Sequence, residues 1–158
     1  MTTRHPQHHK DPLVNFLMES NAIEGYHREV TDEELEAFRL LLSAPRVELP
    51  DELLTFQAQV APGFPLRSQS DMNVQVGEHL APPGGPLIEE DLRSLLQHIL
   101  SYSPFQVHCK FLTLHPFLDG NGRTARALWA WHMVELCQDP CCRPFLQSFY
   151  YQTLAHHD

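Results

Sequence analysis

The sequence predicts an all-α, mainly helical fold carrying one small β-hairpin, and three observations predict it. Apolar residues recur at helical spacing through most of the chain. A single stretch, Met72 to Val76, alternates apolar and polar residues with the period of a strand. The Pro- and Gly-rich segment around it, 61–87, is too interrupted for a long helix. With 158 residues, 42% of them hydrophobic and 20% charged, the chain is sized for one domain around one core.

The elements follow in order. Leu13, Phe16, Leu17 and Ile23 fall near one face of a first helix over about 12–25, with Pro12 in its first turn and Gly25 as its C-cap. Thr31 with Glu34 three residues on has the capping-box pattern. Leu35, Phe38 and Leu42 carry the stripe of a second helix, which stops before Pro45, and Leu53, Leu54 and Phe56 place a short third helix after Pro50-Asp51. Met72, Val74 and Val76, alternating with Asn73 and Gln75, form one arm of the hairpin. Leu92, Leu95, Leu96 and Ile99 restore helical spacing. Ser103-Pro104 supplies an N-cap and a first-turn proline for a helix containing Phe105, His108 and Leu112. A last major helix runs from about 122 to 137, with Ala125, Leu128, Trp129, His132 and Leu136 on one face. There is no internal repeat. The expected organisation is a tail over 1–10, a single domain over 11–150 and a second tail over 151–158. The histidines at 5, 8, 9, 156 and 157 belong to these tails and receive no function.

Charge and cysteine content narrow the function classes. Eleven Lys and Arg against 20 Asp and Glu give a net charge of −9. A phosphate backbone repels such a surface, so no nucleic-acid partner is expected; the charge reads as solubility. No apolar run reaches the ~18–20 residues that span a bilayer, so no membrane partner is expected. The polar, His-rich N-terminus lacks the apolar core of a secretory signal. A cytoplasmic location is the expectation, with delivery as an effector left open. Cys137, Cys141 and Cys142 cluster near His132, but their spacing is not a standard zinc pattern. Together with Cys109 they read as reduced thiols.

The chemistry concentrates in one run, His115-Pro116-Phe117-Leu118-Asp119-Gly120-Asn121-Gly122-Arg123-Thr124-Ala125-Arg126. Gly120, Asn121 and Gly122 precede a helix, whose unsatisfied N–H groups and dipole make a cradle for an anion. Arg123 and Arg126, three apart, put two cations at that helix's N-terminal end, where the dipole disfavours them unless an anion compensates. Asp119 is a hard oxygen ligand beside the cradle, suited to a cation that also binds phosphate oxygens. His115 can accept a proton near neutral pH. Taken singly, each has a bland reading: a glycine turn, surface salt bridges, a turn-forming Asp and one structural His among eleven. Phe117 points into the core and pins the loop.

This run fits the Fic-family signature, H-P-F-x-[D/E]-G-N-G-R-x-x-R, at every defining position. The resemblance implies a mainly α-helical core of about this size and transfer of AMP from ATP to a Ser, Thr or Tyr hydroxyl of a protein, releasing pyrophosphate. It implies that His115 deprotonates the hydroxyl and that Asp119 holds Mg²⁺ (or Mn²⁺) on the α- and β-phosphates. It further implies that Gly120, Asn121 and Gly122 form the anion hole, with Asn121 near the α-phosphate. Arg123 would meet the β-phosphate side of the leaving group and Arg126 the γ-phosphate. Gly122 is the nucleotidyl-transferase form; the Doc branch, closer to kinases in its chemistry, carries lysine there.

Ser20-Asn21-Ala22-Ile23-Glu24-Gly25 resembles the family's inhibitory signature, [S/T]-x-x-x-E-[G/N]. The resemblance implies that Glu24 pairs with Arg126 and obstructs the γ-phosphate, that Ser20 helps fix the helix, and that this chain falls in the class whose inhibitory helix precedes the core. The hairpin around 67–77, with Met72, Val74 and Val76, resembles the family's flap, which can hold a target segment by added-strand hydrogen bonds. Three readings therefore stand in order. The first is an autoinhibited protein adenylyltransferase whose partner is a hydroxyl-bearing protein, with the chain itself (Tyr26, Tyr150, Tyr151) among the candidates. The second is AMP removal, or transfer of UMP or phosphocholine, at the same site. The third is a non-catalytic nucleotide-binding module.

Overall fold

The computed structural model describes residues 11–141. The two histidine tails, Cys142, Tyr150 and Tyr151 lie outside the described residues. Six α-helices and one two-stranded antiparallel sheet make up the described part. The expected all-α fold with a small hairpin is what is seen.

Helix α1, Pro12–Ile23, starts under an Asp11 cap whose Oδ1 accepts from Leu13 N at 2.9 Å. Glu24 is its C-cap and Gly25 follows at φ +85°, so the helix stops just short of Glu24 rather than at 25. Helix α2, Asp32–Ser43, begins at Thr31, whose Oγ1 accepts from Glu34 N at 3.1 Å. Only half of the predicted capping box forms. The Glu34 side chain turns inward, where it is 2% exposed and takes donors from Arg28 and Asn21. Helix α3, Leu49–Val60, is longer than expected because Pro50 is accommodated in its first turn.

After α3 the chain runs through Leu66, which bridges Phe117 in antiparallel fashion. Strand β1, Gln75–Val76, then pairs with β2, His79–Leu80, in the register Gln75↔Leu80 and Val76↔His79, around Gly77 at φ +59°. Met72 and Val74 are not strand residues, which corrects the predicted arm: only Val76 of the three lies in β1. Arg67 draws the Met72 carbonyl aside and a turn closes at Asn73. Helix α4, Pro86–Gln97, leads through a short 3₁₀ turn, Ile99–Ser101, to α5, Pro104–Leu114. A full capping box of Ser103 and Gln106 starts α5, and His115 ends it in the left-handed region, at φ 49° and ψ 61°.

Helix α6, Asn121–Glu135, is the axis of the molecule. Every residue from Arg123 to Thr124 and on to His132 is buried, so it is not the one-faced amphipathic helix its apolar spacing predicts. Leu136, placed on that face, is instead 44% exposed. A chain of rings from α1, α2 and α3 leads to Trp129 of α6. Trp129 stacks with Phe16 at 6.4 Å, Phe16 with Phe38 at 5.1 Å, and Phe38 tilts against Phe56 at 5.9 Å. Trp131 satisfies its indole by donating to the Ala44 carbonyl at 2.9 Å. The N-terminus of this wrapped helix opens on the signature loop, with α1 on one side and the hairpin on the other.

Candidate active site

The signature loop is held rigid by its own atoms. Asn121 Oδ1 accepts from Phe117 N at 3.0 Å and its Nδ2 donates to the Phe117 carbonyl at 2.8 Å. Both polar atoms of the Asn121 side chain are thus spent on the loop, so they shape the cradle from within rather than face it. Phe117 is 1% exposed and packs beside Phe111 at 6.4 Å, in the core position predicted for it. Gly120 must be glycine on two counts. Its φ is +80°, and a Cβ would come within 2.8 Å of Ala61 Cβ. Gln57 on α3 ties the loop down from outside, donating to the Asp119 carbonyl at 3.1 Å.

The cradle itself is the first turn of α6. Thr124 N is the first amide bonded back into the helix, to the Gly120 carbonyl at 3.0 Å. The amides of Asn121, Gly122 and Arg123 precede it and have no carbonyl of their own helix to bond. Gly122, half-buried, leaves this turn bare of side chain. Asp119 Oδ1 accepts from Gly120 N at 2.8 Å, which orients the carboxylate at the mouth of the cradle.

The two arginines are fixed differently. Arg126 is 6% exposed and held by α1: Nε donates to Ser20 Oγ at 2.8 Å, and Nη2 donates to the Ser20 carbonyl at 2.9 Å and to Glu24 Oε1 at 2.7 Å. Burial pulls the Arg126 pKa down, while the hydrogen bond and charge of Glu24 push it back up. Arg123 is 4% exposed, donates from Nη1 to the Val60 carbonyl at 2.7 Å and lies under the Tyr26 ring, 4.5 Å from its centroid. Its Nε is buried without a hydrogen-bond partner. A cation with a buried donor to spare, next to three open amides, is a place where an anion would be stabilised.

His115 stands at the other side of the loop, half-buried at the end of α5. Burial lowers its pKa, a hydrogen bond to the Leu112 backbone raises it, Arg67 and His79 lower it and Asp119 raises it, for a net shift downward. Its imidazole is therefore neutral, and able to take a proton, at neutral pH. His108, two turns earlier on α5, is pushed down to about 4 by burial and by the Arg126 charge.

The signature motif supplies His115, Asp119, Gly120, Asn121, Gly122, Arg123 and Arg126, and Ser20 on α1 and Glu24 at its C-cap, named from the second motif, both bond Arg126. Met72, Val74 and Val76 stand in and beside the hairpin, tied to α5 where His79 Nε2 meets the Thr113 carbonyl at 3.0 Å. Gln57 goes unnoticed in the sequence, Tyr26 reads there only as a candidate acceptor, and Arg67 only as the start of the hairpin. For Arg67 a signal existed: it is the sole charge in the segment 61–70. One carboxylate, Asp119, is what the protein offers a divalent cation here, and no group of three or more metal-ligating side chains occurs among the described residues. That donor set fits Mg²⁺ held largely by nucleotide oxygens and water rather than by a protein cage. No helix among the described residues is long and apolar enough to cross a membrane. No curated protein matches the chain. A family model described as Fic/DOC family matches residues 49–133.

Proposed function

The chain belongs to the Fic/DOC family, and from that premise we propose that it is a protein adenylyltransferase held off by its own N-terminal helix. The observation that carries the reading is the Arg126–Glu24 pair at 2.7 Å, set at the start of α6 beside Gly122. A carboxylate sits where the cradle and two arginines would otherwise take the phosphates of ATP.

In the active form Glu24 withdraws. The α6 amides and Gly122 take the α-phosphate oxygens, and Arg123 and Arg126 take the β- and γ-phosphates. Asp119 would hold Mg²⁺, which when bound neutralises phosphate charge. His115 takes the proton from a target Ser, Thr or Tyr hydroxyl. The oxygen bonds to the α-phosphorus, the bond from that phosphorus to the bridging oxygen breaks, and pyrophosphate leaves. The protein's contribution is positioning and charge stabilisation. The hairpin would hold the target segment through its exposed edge.

The position of Glu24 favours a second reading at the same site: its carboxylate, with the side chain 37% exposed, could align a water for AMP removal. Wild type, Glu24→Gly and Glu24→Gly/His115→Ala, incubated with α-labelled ATP and Mg²⁺, separate the two. Label held by Glu24→Gly, weak in wild type and absent in the double variant, supports AMP transfer with His115 as base. Absence of label in all three, with release of AMP from a pre-modified target by wild type, supports the second reading.

A further inference from the structure

Arg67 is a fully buried cation that no carboxylate pairs with among the described residues. Four hydrogen bonds replace the missing counterion, and all go to backbone carbonyls. Nε donates to His115 O at 2.6 Å and Nη2 to Leu114 O at 2.9 Å. Nη1 donates to Met72 O at 3.1 Å and to Pro82 O at 2.8 Å. The first two acceptors are C-terminal carbonyls of α5, at the negative end of its dipole, where a cation is favoured. The other two flank the hairpin, one before β1 and one after β2.

The Arg67 backbone continues the same pattern. Its N–H donates to Pro116 O at 2.9 Å and its carbonyl accepts from Gly85 N at 2.9 Å. Arg67 therefore grips the carbonyls of three consecutive residues, 114, 115 and 116, and both limbs of the hairpin. His115 is one of two non-glycine residues at positive φ among the described residues, a conformation a chain keeps only when its surroundings determine it. The contacts that determine it here come from a side chain 48 positions away.

We infer that Arg67 is a positioning residue that holds the His115 imidazole and the base of the hairpin in one fixed relation, so that a hydroxyl presented by the hairpin arrives at the proton acceptor. This rests on the reading of His115 as base and the hairpin as target clamp. A planar fork with five donors can span carbonyls on three segments; a lysine, with three donors on one nitrogen, cannot. Arg67 touches no cradle residue through these bonds, so nucleotide binding and hydroxyl transfer part company when it is changed.

The test compares full-length Glu24→Gly with Glu24→Gly/Arg67→Lys by amide hydrogen exchange and by transfer of α-labelled AMP. Expected are faster exchange at both the His115 and Ala81 amides, unchanged protection in α6, a KM for ATP within about threefold and a kcat lowered about a hundredfold. Unchanged exchange and kcat would overturn the inference. So would a parallel loss of α6 protection, ATP binding and kcat, which marks a role in stability alone. If Glu24→Gly transfers no label, the catalytic reading fails and exchange alone decides: coupled loosening upholds the linkage, and unchanged protection overturns it. Should Arg67→Lys fail to fold, the Glu24→Gly parent decides. His115 and hairpin amides opening together ahead of α6 support the linkage, and a hairpin opening independently of His115 overturns it.

Discussion

Gly122 and Glu24 fit together because Gly122 has no side chain. A Cβ at Gly122 would run into Glu24 Oε1 and lie 3.3 Å from Arg126 Nη1. The bare turn that admits a phosphate also admits the carboxylate that competes with it. Gly122→Ala is therefore expected to push Glu24 outward but also to crowd the phosphates, so that it lowers ATP affinity more in combination with Glu24→Gly than when Glu24 is present. Calorimetric titration of the four proteins gives the coupling directly. Equal effects of Gly122→Ala with and without Glu24 would contradict the fit.

Ser20 holds Arg126 through both its hydroxyl and its carbonyl. Ser20→Ala removes the hydroxyl contact alone. It should loosen Arg126 and raise ATP affinity about three- to tenfold, less than Glu24→Gly does, since a hydrogen bond to a charged group contributes about 1.5–3 kcal/mol before partial replacement. A binding isotherm indistinguishable from wild type would count against Ser20 as part of the restraint.

Tyr26 covers Arg123 from the linker between α1 and α2. Tyr26 is 44% exposed as a residue, so its removal costs little core packing. Tyr26→Ala is expected to speed nucleotide association by uncovering a buried cation, with Tm changed little. Stopped-flow mixing with a fluorescent ATP analogue reads that rate, and an unaltered association rate would show the cover to be irrelevant.

Acid should destabilise the fold in a defined window. His108 has its folded pKa at about 4, below the ordinary 6.5. The unfolded chain therefore binds a proton first as pH falls. Stability contributed by the neutral, buried ring is complete above about 6.5, declines between about 6.5 and 4, and levels off below. His108→Gln should flatten this decline in a series of denaturant titrations. An identical slope in both proteins would assign the acid lability elsewhere.

Asn121→Ala strands the Phe117 N–H and carbonyl in a buried loop. A loss of about 2–4 kcal/mol is expected in urea unfolding, along with loss of the cradle. Stability within experimental error of wild type would mean the loop is held from outside, by Gln57 and Arg67.

The parts of this site readable in the sequence are those written contiguously. His115 to Arg126 is one segment, and Glu24 stands four positions after Ser20, one helical turn apart. The Ser103 cap and the hairpin near Gly77 were legible for the same reason, since their partners are local. What escaped depends on distant backbone. Arg67 bonds the His115 carbonyl and Gln57 the Asp119 carbonyl, 62 positions off, and a carbonyl has no residue type to recognise. The one-faced reading of α6 failed because Arg123, Thr124 and Arg126 count as polar, yet the fold buries all three, with Arg123 and Arg126 bonded internally. Met72 and Val74 alternate like a strand, but Arg67 claims the Met72 carbonyl.

The most direct measurement follows the two ends of ATP separately. Glu24→Gly is incubated in parallel with α-labelled and γ-labelled ATP and Mg²⁺, and protein-bound label is counted against wild type. The account predicts retained α-label, no retained γ-label, and pyrophosphate released in step with modification. Retained γ-label would mean phosphate transfer instead, and equal α-labelling of wild type and Glu24→Gly would remove Glu24 as the restraint.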